Sequence, residues 1–224
     1  MSDASVRRTQ AERRNHSEEA LLDAAAELIA ERGIDRASLA TIGGRAGLSR
    51  GLPTHYFGSK DSLVAQVARH AQDRVTAATL MMLNQDQHRL DELSALELVR
   101  LTVDTYLGLS DHPTAYQRAL IVMWGSTFPA DSSVDGMLDA DQRSYDGWAD
   151  LIARGQREGS IRIDMDPASA AVVLLGFIRG VAAQLFWDSG VADIDDIRKT
   201  CSAWIDAALA PAAESLGPVV PDGR

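Results

Sequence analysis

Hydrophobic residues recur every three to four positions near the start of the chain, which is the spacing of one face of an α-helix. Gly33 follows this stripe and suits the left-handed turn that ends many helices. Asn15 or Ser17 can cap its start, because short polar side chains accept hydrogen bonds from free backbone amides. The pattern predicts a first helix from Asn15 or Ser17 to Gly33. Its apolar stripe is Leu21, Leu22, Ala25, Leu28 and Ile29.

Serines precede three further helical patterns. Ser38 is the expected N-cap of a short second helix, "LATIGGRA", and Ser49 that of a third, "RGLPTHYF". Gly47 lies between these two helices and predicts a tight turn there. Ser59 is the expected N-cap of a long fourth helix that runs from Lys60 toward Met82.

The rest of the chain also has helical spacing, and the alternating Val, Ile and Thr that strands need are scarce. Helices are expected over about residues 91–110, 113–128, 133–158, 167–188 and 193–213. Pro113 and Pro167 are expected in first turns, the latter behind Asp166 as N-cap. The sequence therefore predicts an all-α protein whose last residues, 214–224, form a flexible tail.

The distribution of charge separates the first sixty residues from the rest. The whole chain has a net charge of −10, yet residues 1–60 contain nine basic and eight acidic side chains. Between Arg36 and Lys60 there are four basic residues and no acidic one. An acidic polymer could therefore bind only through one local face. The single cysteine, Cys201, and the lack of an apolar leader indicate a cytoplasmic protein.

Two glycines at a spacing of four suggest that the second and third helices cross closely. Gly43 would lie in the second helix and Gly47 in the turn, as a helix-turn-helix requires. The third helix would then present Arg50, Leu52, Thr54 and His55 to a DNA major groove.

Pro53 is expected in the fourth position after Ser49, where it removes one early hydrogen bond. Lys60 is placed to contact a backbone phosphate.

The stretches "ERGIDRASLATIGGRAGLSRG" and "THYFGSKDSL" carry a family resemblance. Segment 15–63 resembles the N-terminal DNA-binding domain of TetR-type transcriptional regulators. Gly43 and Gly44 stand where an alanine pair is more usual in that family. The order His55-Tyr56-Phe57 is similar to that of choline-responsive regulators.

The resemblance implies an all-helical homodimer with an N-terminal three-helix helix-turn-helix domain and a larger C-terminal domain for ligand binding and dimerisation. The expected divisions are a flexible basic arm (1–14), a DNA-binding domain (15–62), an effector and dimerisation domain (63–213) and the tail. The expected partners are a double-stranded DNA operator and a small-molecule effector that releases a repressor. The expected DNA-binding residues are Ser38, Thr41, Arg45, Ser49, Arg50, Gly51, Leu52, Thr54, His55, Tyr56 and Lys60.

Residues 168–187 are apolar on nearly every side. A membrane span is one interpretation, but Arg179 and Gln184 interrupt the stretch. The favoured interpretation is a helix in a dimer interface, where Gly176 and Gly180 permit close contact. Together with helix 193–213 it would form a four-helix bundle across two subunits. The expected interface residues are Gly176, Gly180, Ala183, Trp187, Ile197 and Trp204.

Aromatic and sulfur-containing side chains of the C-terminal half are either core or the lining of an effector cavity. The candidates are Tyr106, Met123, Trp124, Phe128, Trp148 and Phe177. The acidic surroundings permit a cationic or amine effector held by aromatic faces, without strongly favouring one.

The sequence offers little for catalysis. The histidines lack metal-ligand spacing, and no nucleophile elbow or phosphate-binding glycine loop is present. We therefore expect no enzyme, no metal and no cofactor. The alternative to a DNA-binding regulator is a helical dimeric interaction module that does not bind DNA.

Overall fold

The computed structural model describes residues 9–83, 90–110, 112–126, 135–187 and 192–212, with side chains for all of these except 83 and 135–140. These residues contain nine α-helices and no strand, as the sequence predicts. The helices are α1 (Gln10–Arg32), α2 (Leu39–Arg45), α3 (Leu52–Phe57), α4 (Lys60–Leu83), α5 (Ala95–Gly108), α6 (Ala115–Ser126), α7 (Asp135–Glu158), α8 (Pro167–Trp187) and α9 (Ile194–Leu209).

The first helix begins earlier than the sequence pattern indicates. Thr9 caps α1, and its hydroxyl accepts from the Glu12 amide while the Glu12 carboxylate accepts from the Thr9 amide at 2.6 Å. This capping box satisfies two amides that would otherwise lack partners, so the helix starts at Gln10. The expected start at Asn15 or Ser17 is wrong, and residues 10–14 belong to α1 rather than to a flexible arm. Gly33 ends the helix with φ 79°, as predicted.

The later helices match the prediction, with ends that shift by up to four residues. The largest shift at a start is in α5, where Ser94 and Glu97 form a second capping box. Pro113 does not lie in a first turn, because Thr114 caps α6 through the Gln117 amide. Pro167 is the first residue of α8, and Asp166 accepts from the Ser169 amide as predicted.

Two apolar cores organise the described residues. The first joins α1, α2, α3 and α4 to α6, which packs along α1 and α4. The small N-terminal domain therefore rests on two helices of the remainder, α4 and α6. The second core joins α5, α7, α8 and α9. Helix α4 also contacts α5 and α7, so it runs from the first core to the second.

Helix α8 is long and apolar enough to cross a membrane when judged by length and composition alone. In the structure it packs against α7 and buries one face in the second core. Arg179 in its middle pairs with Asp141 of α7. The opposite face is exposed, as shown by Val173 and Trp187. The helix is thus one wall of a bundle with an open apolar outer surface.

Candidate nucleic-acid interface and effector cavity

Helices α2 and α3 cross at Gly43. A Cβ atom there would lie 2.8 Å from the Ser49 carbonyl oxygen and 3.2 Å from the Arg50 Cα. The Leu48 amide donates to the Gly43 carbonyl at 2.9 Å, and Gly47 turns the chain with φ 68°. The backbones approach so closely that only glycine fits at the crossing. This is the geometry of a helix-turn-helix. No Cβ contact or positive φ explains Gly44.

The third helix is shorter than predicted, and its later start explains why it can contain a proline. It begins at Leu52, with Gly51 in the N-cap position and no side-chain cap, so Ser49 is not its cap. Pro53 is therefore the second residue of the helix. Amides of a first turn have no partner within the helix. The expected loss of a hydrogen bond at Pro53 is wrong, and the residue fits its place without cost.

Most of the predicted DNA-binding residues are exposed, and we call these exposed residues of α2, α3 and the segment between them the recognition surface. Arg50, Thr54 and His55 extend from α3 or its approach, while Leu52 and Tyr56 are half-buried against the first core. Ser38 caps α2, and Thr41 lies in its first turn. The exposed members are Ser38, Thr41, Arg45, Ser49, Arg50, Gly51, Thr54 and His55.

Some of these side chains already have intramolecular partners. The Ser38 hydroxyl accepts from the Thr41 amide, and the Thr41 hydroxyl donates to the Ser38 carbonyl at 2.8 Å. The Lys60 ammonium donates to the Asp35 carbonyl at 3.0 Å. A phosphate contact by Lys60 would therefore replace or share this hydrogen bond.

Arg45 is not presented as a free cation. Its guanidinium donates two hydrogen bonds of 2.9 Å to Glu31 and one of 3.0 Å to Glu27, both on α1. These bonds raise the pKa of Arg45, and the hydrogen bond from Arg45 lowers that of Glu31. The arrangement braces α2 against α1, which differs from the DNA contact that the sequence led us to expect.

The sequence analysis missed a cation beside α3. The Arg14 guanidinium lies 5.8 Å from the centre of the Tyr56 ring, which in turn meets His55 edge to face. The sequence pattern places Arg14 in the flexible arm, because it predicts too late a start for α1. Its contact with Tyr56 puts a further positive charge close to the recognition surface.

A cavity of about 420 Å³ lies between the two cores. Of the predicted lining residues, it includes Tyr106, Trp124 and Trp148. Met123 is instead fully buried in the first core, and Phe128 lies outside the described residues. The whole lining is Gln72, Asp73, Val75, Thr76, Thr79, Leu80, Thr102, Val103, Tyr106, Leu120, Trp124, Arg143, Ser144, Gly147, Trp148, Leu151, Leu175, Ile178 and Arg179.

An ion pair forms part of the cavity wall. Arg179 donates to both oxygens of Asp141, at 2.7 and 3.2 Å, and its guanidinium lies 4.0 Å from the centre of the Trp124 ring. Burial raises the pKa of the nearby Tyr106 hydroxyl, an effect that Arg179 partly opposes. The sequence analysis treated Arg179 only as an interruption of an apolar helix. Its pairing partner is thirty-eight positions away, so no local pattern could reveal it.

Helices α8 and α9 meet at the contact between Phe177 and Trp204 and expose apolar residues there, which we call the outer face. Gly176, Gly180, Trp187 and Trp204 are exposed on it, and Ala183 is half-buried. Phe177 faces this side, where its ring centre lies 5.7 Å from that of Trp204. Phe177 is therefore not a lining residue of the cavity between the cores. Ile197 is half-buried and packs on the second core.

The residues described contain no cluster of three or more metal-ligating side chains. Burial raises the pKa of the Cys201 thiol, which disfavours the reactive thiolate.

Comparison with known proteins finds matches to the N-terminal part of the chain. The family model described as bacterial regulatory proteins of the tetR family matches residues 21–67, from within α1 into α4. The HTH-type transcriptional regulator BetI of Escherichia coli is 32% identical over 107 residues. That match covers 48% of this chain and 53% of BetI, so the chain spans about half the length of the curated relatives it matches.

Solved structures extend the similarity to most of the chain. A TetR-family transcriptional regulator from Rhodococcus sp. superposes with a TM-score of 0.71 at 20% identity, covering 88% of this chain and 100% of the other. A transcriptional regulator from Saccharomonospora viridis, solved in complex with choline, gives a TM-score of 0.68 at 21% identity and covers 88% and 98%. The tetR-family model thus matches the segment that holds the helix-turn-helix, and the described helices share the fold of these solved regulators.

Proposed function

We propose that the protein is a cytoplasmic, ligand-responsive transcriptional regulator that binds a DNA operator as a homodimer. One observation carries the proposal, namely the close crossing of α2 and α3 at Gly43 within a segment that matches the tetR family. Arg50, Thr54 and His55 follow this crossing and are exposed, which supports their insertion into a major groove. Repression relieved by a small-molecule effector is the mode that we propose.

The outer face supports dimerisation. Val173 and Trp204 are 72% and 62% exposed, which is unusual for large apolar side chains on a monomer. Gly176 and Gly180 have no atoms near the position of an added Cβ, so a partner helix has room to approach. Two copies that pair through α8 and α9 would carry two recognition surfaces related by a two-fold axis. The operator should then be roughly palindromic, with half-sites separated by whole turns.

Helix α4 is the proposed connection between effector and DNA. Its residues Gln72, Thr76 and Thr79 line the cavity, while its N-terminal part packs on α1 and α3. A ligand that binds better when α4 is displaced would favour the form whose recognition surfaces no longer fit successive major grooves. Coupling of about 1–3 kcal/mol would change operator affinity roughly 5–150-fold.

Choline, which is bound in the Saccharomonospora viridis complex, is not the effector that we propose for this chain. A face of Trp124 that could receive an organic cation is already covered by Arg179. A second cation at that place would be repelled by the guanidinium.

A mobility-shift assay with labelled DNA from upstream of the gene tests the proposal. We expect a specific complex that excess random DNA does not displace. Arg50→Ala or Thr54→Ala should change sequence preference, whereas Lys60→Ala should weaken all DNA alike because it would remove a phosphate contact. Arg157→Ala, which removes an exposed cation of α7, is the matched control and should leave DNA binding unchanged.

Two results would contradict the proposal. If the wild-type protein bound no upstream sequence better than random DNA, the interaction module without DNA binding would be the better description. If Arg50→Ala and Lys60→Ala affected specific and random DNA identically, the roles assigned to these residues would be wrong.

A further inference from the structure

We propose that the cavity between the two cores binds an uncharged, largely apolar organic molecule with a hydroxyl or carbonyl oxygen, which forms a hydrogen bond with Tyr106. This inference rests on the proposed function, because it names the chemical class of the effector. It also makes a claim about the cavity alone that can be tested without DNA.

The size and surface of the cavity fit a small organic molecule. A volume of about 420 Å³ lies within the range of ordinary small-molecule sites. Most of the wall is apolar, with Leu120, Leu175 and Ile178 among its members. A ligand that fills this space must bury mainly apolar surface.

The one charged lining residue that is not exposed, Arg179, is neutralised by an ion pair. Inside the cavity, the Arg179 guanidinium is neutralised by its two hydrogen bonds to Asp141, and both side chains are less than one-fifth exposed. Toward solvent, Asp73 of α4 and Arg143 of α7 are exposed and opposite in sign. The shielded part of the wall therefore offers no uncompensated charge that would stabilise an ion removed from water.

Each kind of ion meets a specific obstacle. An organic cation would compete for the Trp124 ring with Arg179, which is already stacked 4.0 Å from the ring centre. An organic anion would have to draw Arg179 away from Asp141 and leave that carboxylate buried without its partner. A neutral molecule faces neither cost.

Tyr106 supplies a polar group for such a molecule. Across the parts of the chain that the structure describes, no protein group hydrogen-bonds its hydroxyl, although the residue lines the cavity. Burial raises the pKa of this hydroxyl, so it remains protonated at neutral pH and can both donate and accept. Tyr106 is half-buried in the cavity wall, where an oxygen of a ligand could form a hydrogen bond with its hydroxyl.

Four probes with the same two-ring skeleton separate these possibilities. They are para-phenylbenzyl alcohol, protonated para-phenylbenzylamine, para-phenylbenzoate and biphenyl itself. Isothermal titration calorimetry on the full-length protein, without DNA, measures each affinity at neutral pH. We expect the alcohol to bind at least about tenfold more tightly than the amine and the carboxylate, a difference of about 1.4 kcal/mol.

The variant Tyr106→Phe tests the hydrogen bond. It should weaken binding of the alcohol by about fivefold and leave biphenyl unchanged, because only the alcohol loses a partner. Circular dichroism melting establishes whether the variant is folded. If the variant does not fold, the relative affinities of the four probes for the wild-type protein test the proposal by themselves.

The proposal would be overturned if the amine or the carboxylate bound as tightly as the alcohol, or if none of the probes bound at millimolar concentration. Equal weakening of alcohol and biphenyl by Tyr106→Phe would also overturn it, because the effect would then be one of packing. Failure of the proposed function gives a different result. In that case the alcohol binds as expected, but the protein shows no specific complex with DNA.

Discussion

The hydroxyl of Tyr116 donates a hydrogen bond of 2.6 Å to the carboxylate of Asp23, and this bond joins α6 to α1. The Arg74 guanidinium of α4 lies over the Tyr116 ring, 4.9 Å from its centre, and 3.9 Å from the same carboxylate. Arg74 also donates to His70. Three helices therefore meet at one polar contact, on the boundary between the DNA-binding domain and the rest of the chain.

Removing this hydroxyl should destabilise the protein and loosen the contact between the domains. Tyr116→Phe is expected to lower the free energy of unfolding by about 1–2 kcal/mol, since it deletes a hydrogen bond to a charged group. Urea denaturation measures the change. In a double-mutant cycle with Asp23→Ala, the two effects should not add, because both variants remove the same bond. Fully additive effects would show that the hydrogen bond contributes nothing of its own.

The raised pKa of Tyr116 should make the protein less stable at high pH. Burial and the hydrogen bond to Asp23 raise the pKa of Tyr116 above its ordinary value of about 10. Above that pH the unfolded chain loses the phenolic proton while the native protein keeps it, so stability falls as the pH rises. Melting temperatures should therefore drop more steeply above about pH 10 for the wild type than for Tyr116→Phe. Parallel pH profiles would refute the assignment.

Neighbouring glycines in α2 should respond to alanine in opposite ways. In Gly43→Ala the new methyl group would lie 2.8 Å from the Ser49 carbonyl oxygen, which belongs to backbone and cannot rotate away. We expect a loss of about 1–3 kcal/mol and of specific DNA binding. Gly44→Ala is the control, because its methyl group meets nothing within 4 Å. It should stabilise the helix by about 0.5–1 kcal/mol. A stable, DNA-binding Gly43→Ala variant would mean that the crossing is looser than the structure indicates.

These two glycines show what the sequence can and cannot predict. The crossing at Gly43 was predictable, because a small residue four positions before a turn glycine is a local requirement of the helix-turn-helix. The pattern also predicted nine helices in the described residues. The ends of the helices are harder to predict from the sequence. For α1, both Thr9 with Glu12 and Asn15 or Ser17 could cap the start, and the spacing of apolar residues does not distinguish between them. The actual start followed from the capping box.

The sites were harder to predict than the helices. Residues of the recognition surface lie within one short segment, so the local pattern sufficed to propose them. The cavity joins residues from α4 to α8, and the pattern could not tell that Phe177 and Met123 face elsewhere. The pairs Arg179–Asp141 and Arg45–Glu31 join distant segments. Such pairings depend on the packing of whole helices, which a single sequence does not show.

A bulky residue on the outer face should weaken dimerisation without affecting the fold of each subunit. Gly180→Leu places its side chain in open space within one chain, so the monomer should tolerate it. In a dimer built on α8 and α9 it would cost about 1–3 kcal/mol of association. Sedimentation equilibrium measures the dissociation constant. Gly125→Leu on α6 is the control, since a side chain there also meets nothing and lies off the outer face. Equal behaviour of the two variants, or a monomeric wild type at micromolar concentration, would exclude this interface.

Loss of the ion pair between Arg45 and Glu31 should weaken DNA binding. A simple count of charges predicts the opposite for Glu31→Gln. Removal of a negative charge near DNA ordinarily strengthens binding, so Glu31→Gln would raise operator affinity if Arg45 served as a phosphate ligand held back by Glu31. We expect the opposite, because Arg45 braces α2 against α1 through three hydrogen bonds. Both Arg45→Ala and Glu31→Gln should lower affinity for the operator, and Glu31→Gln should do so even though it makes the protein less acidic. Fluorescence anisotropy with labelled operator at two salt concentrations separates the cases. A gain of affinity in Glu31→Gln, with a steeper dependence on salt, would assign Arg45 to the DNA after all.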